Sequence, residues 1–163
     1  ASEWCLVATT LNATMEAQSQ SGVRLIKATT FFQGAMETAL EPDEMLGAVR
    51  LPLLKATEHY GFYEFNRRPG DFATAMCLVT MEIKNDLISN ARLGIGAAED
   101  IPRRLTEVED LLNGNMATEE NIDAAANTAA EIITPLTDIH ISASYRRNIV
   151  KTVVTRAIRL AIK

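Results

Sequence analysis

The stretch Phe72-Ala-Thr-Ala-Met-Cys-Leu-Val-Thr-Met-Glu-Ile83 decides the fold. One alternating set is Ala73, Ala75, Cys77, Val79, Met81 and Ile83, and the other is Phe72, Thr74, Met76 and Leu78. A period of two marks a strand, and apolar character on both faces predicts a central strand covered from both sides. Working outward, Pro69-Gly70 before it and Lys84-Asn85-Asp86 after it are turn signals. The aromatic-rich stretch 61–68 and the stretch 87–98 read as its strand neighbours, which gives an antiparallel meander.

Upstream, Ser2 is positioned to cap a short helix over 3–11, with Glu3 in the first turn where a carboxylate suits the helix dipole. Ala13, Met15 and Ala17 alternate with polar residues as in a half-buried strand. Ser21-Gly22 turns the chain into a second strand over 23–28, so the two make a hairpin. A loop or single helical turn is expected over 29–35, a turn at Pro42-Asp43, and a third strand over 45–51 ended by Pro52. Downstream, helices take over. Thr106 and Glu109 read as a T-x-x-E capping box, with Gly114 closing that helix. Thr118 starts a second helix, to about residue 133, whose buried face is mostly Ala. Ser142 caps a third over 143–163. Its apolar stripe includes Ile149, Val150, Val153, Val154 and Ala157, while Arg147, Lys151, Thr155, Arg159 and Lys163 run along the opposite, solvated face. Strands followed by helices indicate α+β, not an alternating α/β fold.

The chain has 163 residues, 47% hydrophobic and 23% charged, enough for a core without disulfide or metal. Its net charge of −5 argues against nucleic acid as partner through bulk attraction to phosphate. No apolar run approaches a membrane span, and the start carries no signal peptide and no initiator Met. Cys5 and Cys77 are isolated thiols, which suits a reducing, cytoplasmic setting. His59 and His140 have no Cys or carboxylate at ligand spacing, so no metal site is expected. Gly94-Ile-Gly96-Ala-Ala-Glu99 begins like a dinucleotide fingerprint, but it lacks the third Gly and lies on a strand. No paired catalytic carboxylates or nucleophile motif stand out, and no catalytic residue is expected.

One segment gives a sharper reading. Phe62-Tyr-Glu-Phe-Asn-Arg-Arg-Pro-Gly-Asp-Phe-Ala73 resembles the F-x-x-x-x-R-R-x-G-D-[FY]-A pattern of the FAD-binding medium subunits of molybdenum hydroxylases. That family includes carbon monoxide dehydrogenase, xanthine dehydrogenase and the quinoline- and nicotine-type oxidoreductases. Phe31-Phe32-Gln-Gly34, Thr38-Ala-Leu-Glu-Pro-Asp-Glu-Met-Leu46 and Val49-Arg-Leu-Pro52 resemble the family's runs before that segment. Leu93-Gly-Ile-Gly-Ala-Ala98 with Pro102-Arg-Arg104, then Asp138-Ile-His140 and Ser144-Tyr-Arg-Arg147, resemble the runs after it. The ordered set spans nearly the whole chain.

The resemblance implies that residues 1–53 are the tail of an FAD-binding domain, a helix plus short strands. Residues 54–163 would be the family's C-terminal domain, a three-stranded antiparallel sheet with a three-helix bundle. Two glycine-rich loops that hold the flavin diphosphate in the family would precede this segment. Carried over position by position, Glu3 matches an acidic residue near the flavin and Leu46 a leucine against the isoalloxazine ring. Tyr63 and Glu64 fall where relatives often carry a flavin-side Lys, and the sequence departs from the pattern there. Asp71 is expected to fix the Arg67–Arg68 turn by accepting hydrogen bonds. The implied assembly adds a small subunit with [2Fe–2S] clusters and a large subunit with the molybdenum cofactor, as a dimer of heterotrimers. Electrons would pass from the clusters through FAD to an external acceptor. The alternative is a non-catalytic assembly or scaffold fragment of such a complex that binds no cofactor alone.

Overall fold

The computed structural model describes residues 2–139 and 141–163, so His140 lies outside the described residues. Helix α1 (Glu3–Thr10) leads into strands β1 (Thr14–Ser19) and β2 (Gly22–Lys27). The one-turn helix α2 (Ala28–Phe31) and the small hairpin β3 (Phe32–Gly34) and β4 (Glu37–Thr38) follow, then β5 (Met45–Arg50). Strands β1, β2 and β5 form a three-stranded antiparallel sheet with β1 in the middle. Its core is Ala8, Ala13, Met15, Ala17, Ile26 and Phe31. The alternating burial of β1 is what the period-two reading predicted.

The second sheet runs β6 (Glu58–Phe65), β7 (Ala75–Lys84), β8 (Leu87–Gly96) and the short β9 (Arg103–Arg104), in that order and antiparallel throughout. The fourth, two-residue strand extends the three expected. Strand β7 is central, and its first seven residues are buried. Ala75, Cys77, Val79 and Met81 meet the helices on one side. Met76 and Leu78 meet Leu6 of α1 on the other. The strand begins at Ala75, however, and Phe72 lies outside it, 84% exposed in the preceding turn.

Three helices cover the first face. Helix α5 (Ala143–Ile162) packs on β6 and β7, α3 (Thr106–Leu112) packs on β8, and α4 (Glu119–Ile132) lies against both helices. Caps at Thr118 and Ser142 form as expected, accepting from the N–H groups of Asn121 and Tyr145. The α5 stripe is not solvated throughout. Arg147 donates to the Ala130 and Ile133 carbonyls, and Arg159 pairs with Glu119, so both tie α5 to the α4 region. Ser2 stands at the N-cap of α1 but makes no side-chain capping bond.

The expected capping box at Thr106 and Glu109 does not form. Leu105 is the N-cap of α3, and Glu109 turns inward. Its carboxylate, 5% exposed, accepts from the Leu93 N–H at 2.8 Å and from Arg104 Nε at 2.9 Å. Arg104 also donates to Asn12 Oδ1 at 2.8 Å, which links α3, β8, β9 and the end of α1. Taking one partner from a buried pair costs about 3–5 kcal/mol. Glu109→Ala is therefore expected to lose stability on that scale in urea unfolding. Thr106→Ala should stay within about 0.5 kcal/mol, as an exposed surface change does.

A second anchor sits on the small sheet. Arg24 on β2 donates to both oxygens of Glu44, at 2.6 and 2.7 Å, and to the Ala39 carbonyl. The Arg24 bonds first, and the Glu41 N–H second, pull the Glu44 carboxyl from its ordinary 4.5 to about 2. A carboxyl depressed by folding contributes stability above its unfolded pKa and loses it as pH falls through the folded one. The stability gap between wild type and Glu44→Gln should be constant above about pH 4.5 and shrink towards pH 2. Urea midpoints across that window measure it.

Candidate functional site

Helix α1 packs on β8 and β7, and a cleft of about 360 Å³ opens where the outer faces of α1, β6 and β7 meet. Trp4, Val7 and Glu3 of α1 form one wall. Tyr60 and Phe62 of β6, with Leu78 and Thr80 of β7, form the other, and Leu54 closes one end. The lining is apolar apart from the Glu3 carboxylate and the Thr80 hydroxyl, and Thr80 Oγ1 is buried with no hydrogen-bond partner. Trp4 and Tyr60 are 73% and 66% exposed, so two large aromatic rings stand at the mouth.

A second concavity of about 420 Å³ lies at the N-terminus of α1. Ser2, Cys5 and Met36 line it together with the carboxylates Glu37, Glu99 and Asp100. Glu99 is already engaged, accepting from the Thr134 N–H at 2.6 Å and pairing with Arg103. Among the described residues no group of three or more His, Cys, Asp or Glu could hold a metal ion. No described helix is long and apolar enough to cross a membrane.

The four residues named from sequence are not brought together. Glu3 is exposed on the apolar cleft. Glu64 lies on the same face of β6 as Tyr60 and Phe62, one pleat further along, and accepts from Asn66 Nδ2 at 3.3 Å. Tyr63 is on the opposite face, packed against the helix-side core, with its hydroxyl bonded to Arg156 and the guanidinium 4.8 Å from its ring centroid. Leu46 is on β5 of the other sheet, 43% exposed and paired with Ala17. Asp71 is a correction. Its side chain is exposed and makes no bond, and the turn is closed by the Asp71 N–H to the Arg68 carbonyl and the Thr74 N–H to the Phe65 carbonyl. Sequence reasoning missed Trp4, Tyr60 and Phe62 as cleft walls. Their signal was faint: aromatics spaced by two on β6, and a lone Trp beside Glu3.

Comparison with known proteins decides the family. Residues 60–161 match the model for the CO dehydrogenase flavoprotein C-terminal domain, and residues 1–54 match that for the FAD binding domain in molybdopterin dehydrogenase. The chain belongs to the FAD-binding medium subunits of the molybdenum hydroxylases. Among its relatives, the nicotine 6-hydroxylase medium subunit of Paenarthrobacter nicotinovorans is 35% identical over 97% of this chain and 55% of the relative. Quinoline 2-oxidoreductase from Pseudomonas putida 86 superposes with a TM-score of 0.92 at 33% identity, over 98% of this chain and 55% of that one. Cyanide-inactivated Cu,Mo-CO dehydrogenase also gives 0.92, at 28% identity, over 98% of this chain and 56% of that one. The chain thus spans about half the length of the relatives it matches.

The two thiols of this medium-subunit chain differ sharply. Cys77 is fully buried in β7, and burial pushes its thiol far above the ordinary range, so it stays protonated and inert. Cys5 is half-buried at the acidic concavity. A thiol reagent at neutral pH should modify Cys5 in the folded protein and Cys77 only after denaturant is added. Mass spectrometry of the labelled peptides reads this directly.

Proposed function

We propose that this chain is the flavin-ring side of the medium subunit of a molybdenum-containing hydroxylase or dehydrogenase. Residues 1–53 act as the tail of the FAD-binding domain, and residues 54–163 as the C-terminal domain with its three-helix bundle. The observation that carries this reading is the apolar cleft beside Glu3, at the junction of the two matched family segments.

The cleft suits the ring system of a flavin and not its diphosphate. Its walls are aromatic and aliphatic, it has one carboxylate at the rim and an orphaned hydroxyl in the wall, and no Lys or Arg lines it. An anionic diphosphate needs backbone N–H cradles or cations, which on this reading come from glycine-rich segments outside residues 1–163. FAD held there would supply the redox chemistry, taking electrons from [2Fe–2S] clusters of a small subunit and giving them to an external acceptor. This chain's residues do simpler work. Glu3 accepts a hydrogen bond from a ring or ribityl donor. Phe62, Leu78 and Trp4 exclude water from one ring face. Leu46, exposed on β5 outside the cleft lining, would meet the part of the ring that projects beyond the cleft. Tyr63 and Glu64 fix β6 beside it, Tyr63 through Arg156. The molybdenum cofactor belongs to a large subunit, and the assembly is a cytoplasmic dimer of heterotrimers.

The test has two parts. The isolated 163-residue chain should not retain FAD through gel filtration at micromolar concentration. A chain that stays yellow overturns the division of labour between ring side and diphosphate side. In the full-length protein, Glu3→Ala should raise the Kd for FAD about two- to twelve-fold, the worth of one hydrogen bond of about 0.5–1.5 kcal/mol. Full-length protein that assembles normally yet never contains flavin would favour the scaffold reading instead.

A further inference from the structure

The turn 66–74 joins β6 to β7 and carries several exposed side chains. Arg67, Arg68 and Asp71 are exposed, and Phe72 stands 84% clear of the protein. Within the turn only backbone bonds and weak contacts from Asn66 hold it. A nine-residue excursion with so little internal bonding needs an external anchor if its side chains are to keep a fixed place.

The anchor lies beneath it. Arg146, in the first turn of α5, is 5% exposed. Its Nη1 donates to the Thr74 carbonyl at 2.6 Å and to the Ala97 carbonyl at 3.0 Å. Its Nε donates to the Leu136 carbonyl at 2.9 Å, and its Nη2 to Asp138 Oδ2 at 2.6 Å. One planar fork thus joins the end of the β6–β7 turn, the end of β8 and the chain leading into α5. The segments it grips are those that meet α1. Ala73, Met76 and Ala97 pack in one cluster with Leu6 and Val7. Fixing the Thr74 and Ala97 carbonyls therefore fixes the turn relative to the helix that carries Glu3. A lysine cannot substitute, because its three donors radiate from one nitrogen and cannot span four acceptors on separate segments.

We propose that Arg146 is the positioning residue of the 67–72 turn, setting where Phe72 and the two arginines stand relative to the cleft at Glu3. That this placing serves the flavin rests on the function proposed above; the clamp itself does not. Hydrogen exchange on the full-length protein without flavin tests the clamp. In Arg146→Lys the amides of Asp71, Thr74 and Leu136, whose acceptors are Arg68, Phe65 and Ala98, should exchange about tenfold or more faster. Amides in the centres of β7, β8 and α4 should be unchanged. Unchanged exchange at the three amides, or an equal rise everywhere, overturns the proposal. Should Arg146→Lys not fold, Asp138→Asn removes the charge on the fork's fourth partner and spares its three carbonyl bonds. It should show the same pattern at smaller amplitude, and no local change there overturns the clamp equally. A second arm records the visible circular dichroism of FAD bound to full-length Arg146→Lys at equal flavin content. A shifted spectrum supports both readings. Local loosening with a wild-type spectrum upholds the clamp and overturns the placing of flavin against this turn.

Discussion

Two helices press onto one sheet from opposite sides, and each close contact falls on a glycine, against helix backbone of α5 at Gly61 and against the Thr10 and Leu6 side chains of α1 at Gly94. A side chain at Gly61 on β6 would put its Cβ 1.9 Å from the Ala157 carbonyl oxygen of α5. At Gly94 on β8 it would lie 2.0 Å from Thr10 Oγ1 of α1. No rotamer relieves a clash with helix backbone, so α5 can lie this close to β6 only while residue 61 has no side chain. The burial of both faces of β7 follows from this sandwich, and so does the position of the cleft. With α1 drawn down onto β8 at Gly94, the outer face of β6 at the other side of the sheet is left uncovered. Tyr60 and Phe62 are the residues that face presents.

The same sandwich explains where charge is buried. Apolar packing sets the distance between layers but not the register of the loops at their ends. Those ends are fixed by two inward-turned ionic groups. Glu109 and Arg104 bind α3 to β8, β9 and Asn12 after α1. Arg146 binds the carbonyls just before β7 and just after β8. A buried ion pair is a weak source of net stability once desolvation is counted, but breaking one is costly. Here both groups spend their donors or acceptors on backbone atoms from distant segments, so they specify which loops meet.

How much of this could be read from the sequence depends on the range of each interaction. The alternation of Ala75, Cys77, Val79 and Met81, and the caps at Thr118 and Ser142, depend on neighbours within a few residues, and they were legible. The T-x-x-E pattern at Thr106 and Glu109 is equally local, yet it misled. A capping glutamate and a buried one look alike until the Leu93 N–H, sixteen residues upstream, is placed beside it. Asp71 failed for the converse reason. A carboxylate next to two arginines in a turn suggests local pairing, but the turn's anchor is a guanidinium seventy-odd residues downstream. Phe72 was drawn into the strand by its alternation with Ala73, because hydrophobicity alone does not say which aromatic stops short of the ladder. The family pattern could not supply these details, since it reports order along the chain and not which face a side chain takes.

The two concavities flanking the start of α1 differ in charge in a way that limits what each can hold. The larger one is rimmed by Glu37, Glu99 and Asp100, and the chain carries a net charge of −5. A phosphate brought there would meet like charge at short range, with Arg103 already committed to Glu99 and the Ile132 carbonyl. The smaller cleft carries a single carboxylate on otherwise apolar walls. A planar aromatic ligand with one N–H edge gains apolar burial there and meets one acceptor, while its own anionic groups must lie elsewhere. Glu3 faces the second space and Ser2 the first, so the N-terminus of α1 is the divide between them. A ligand with an aromatic head and an anionic tail thus meets matching chemistry for its head at the smaller cleft and like charge for its tail at the acidic rim.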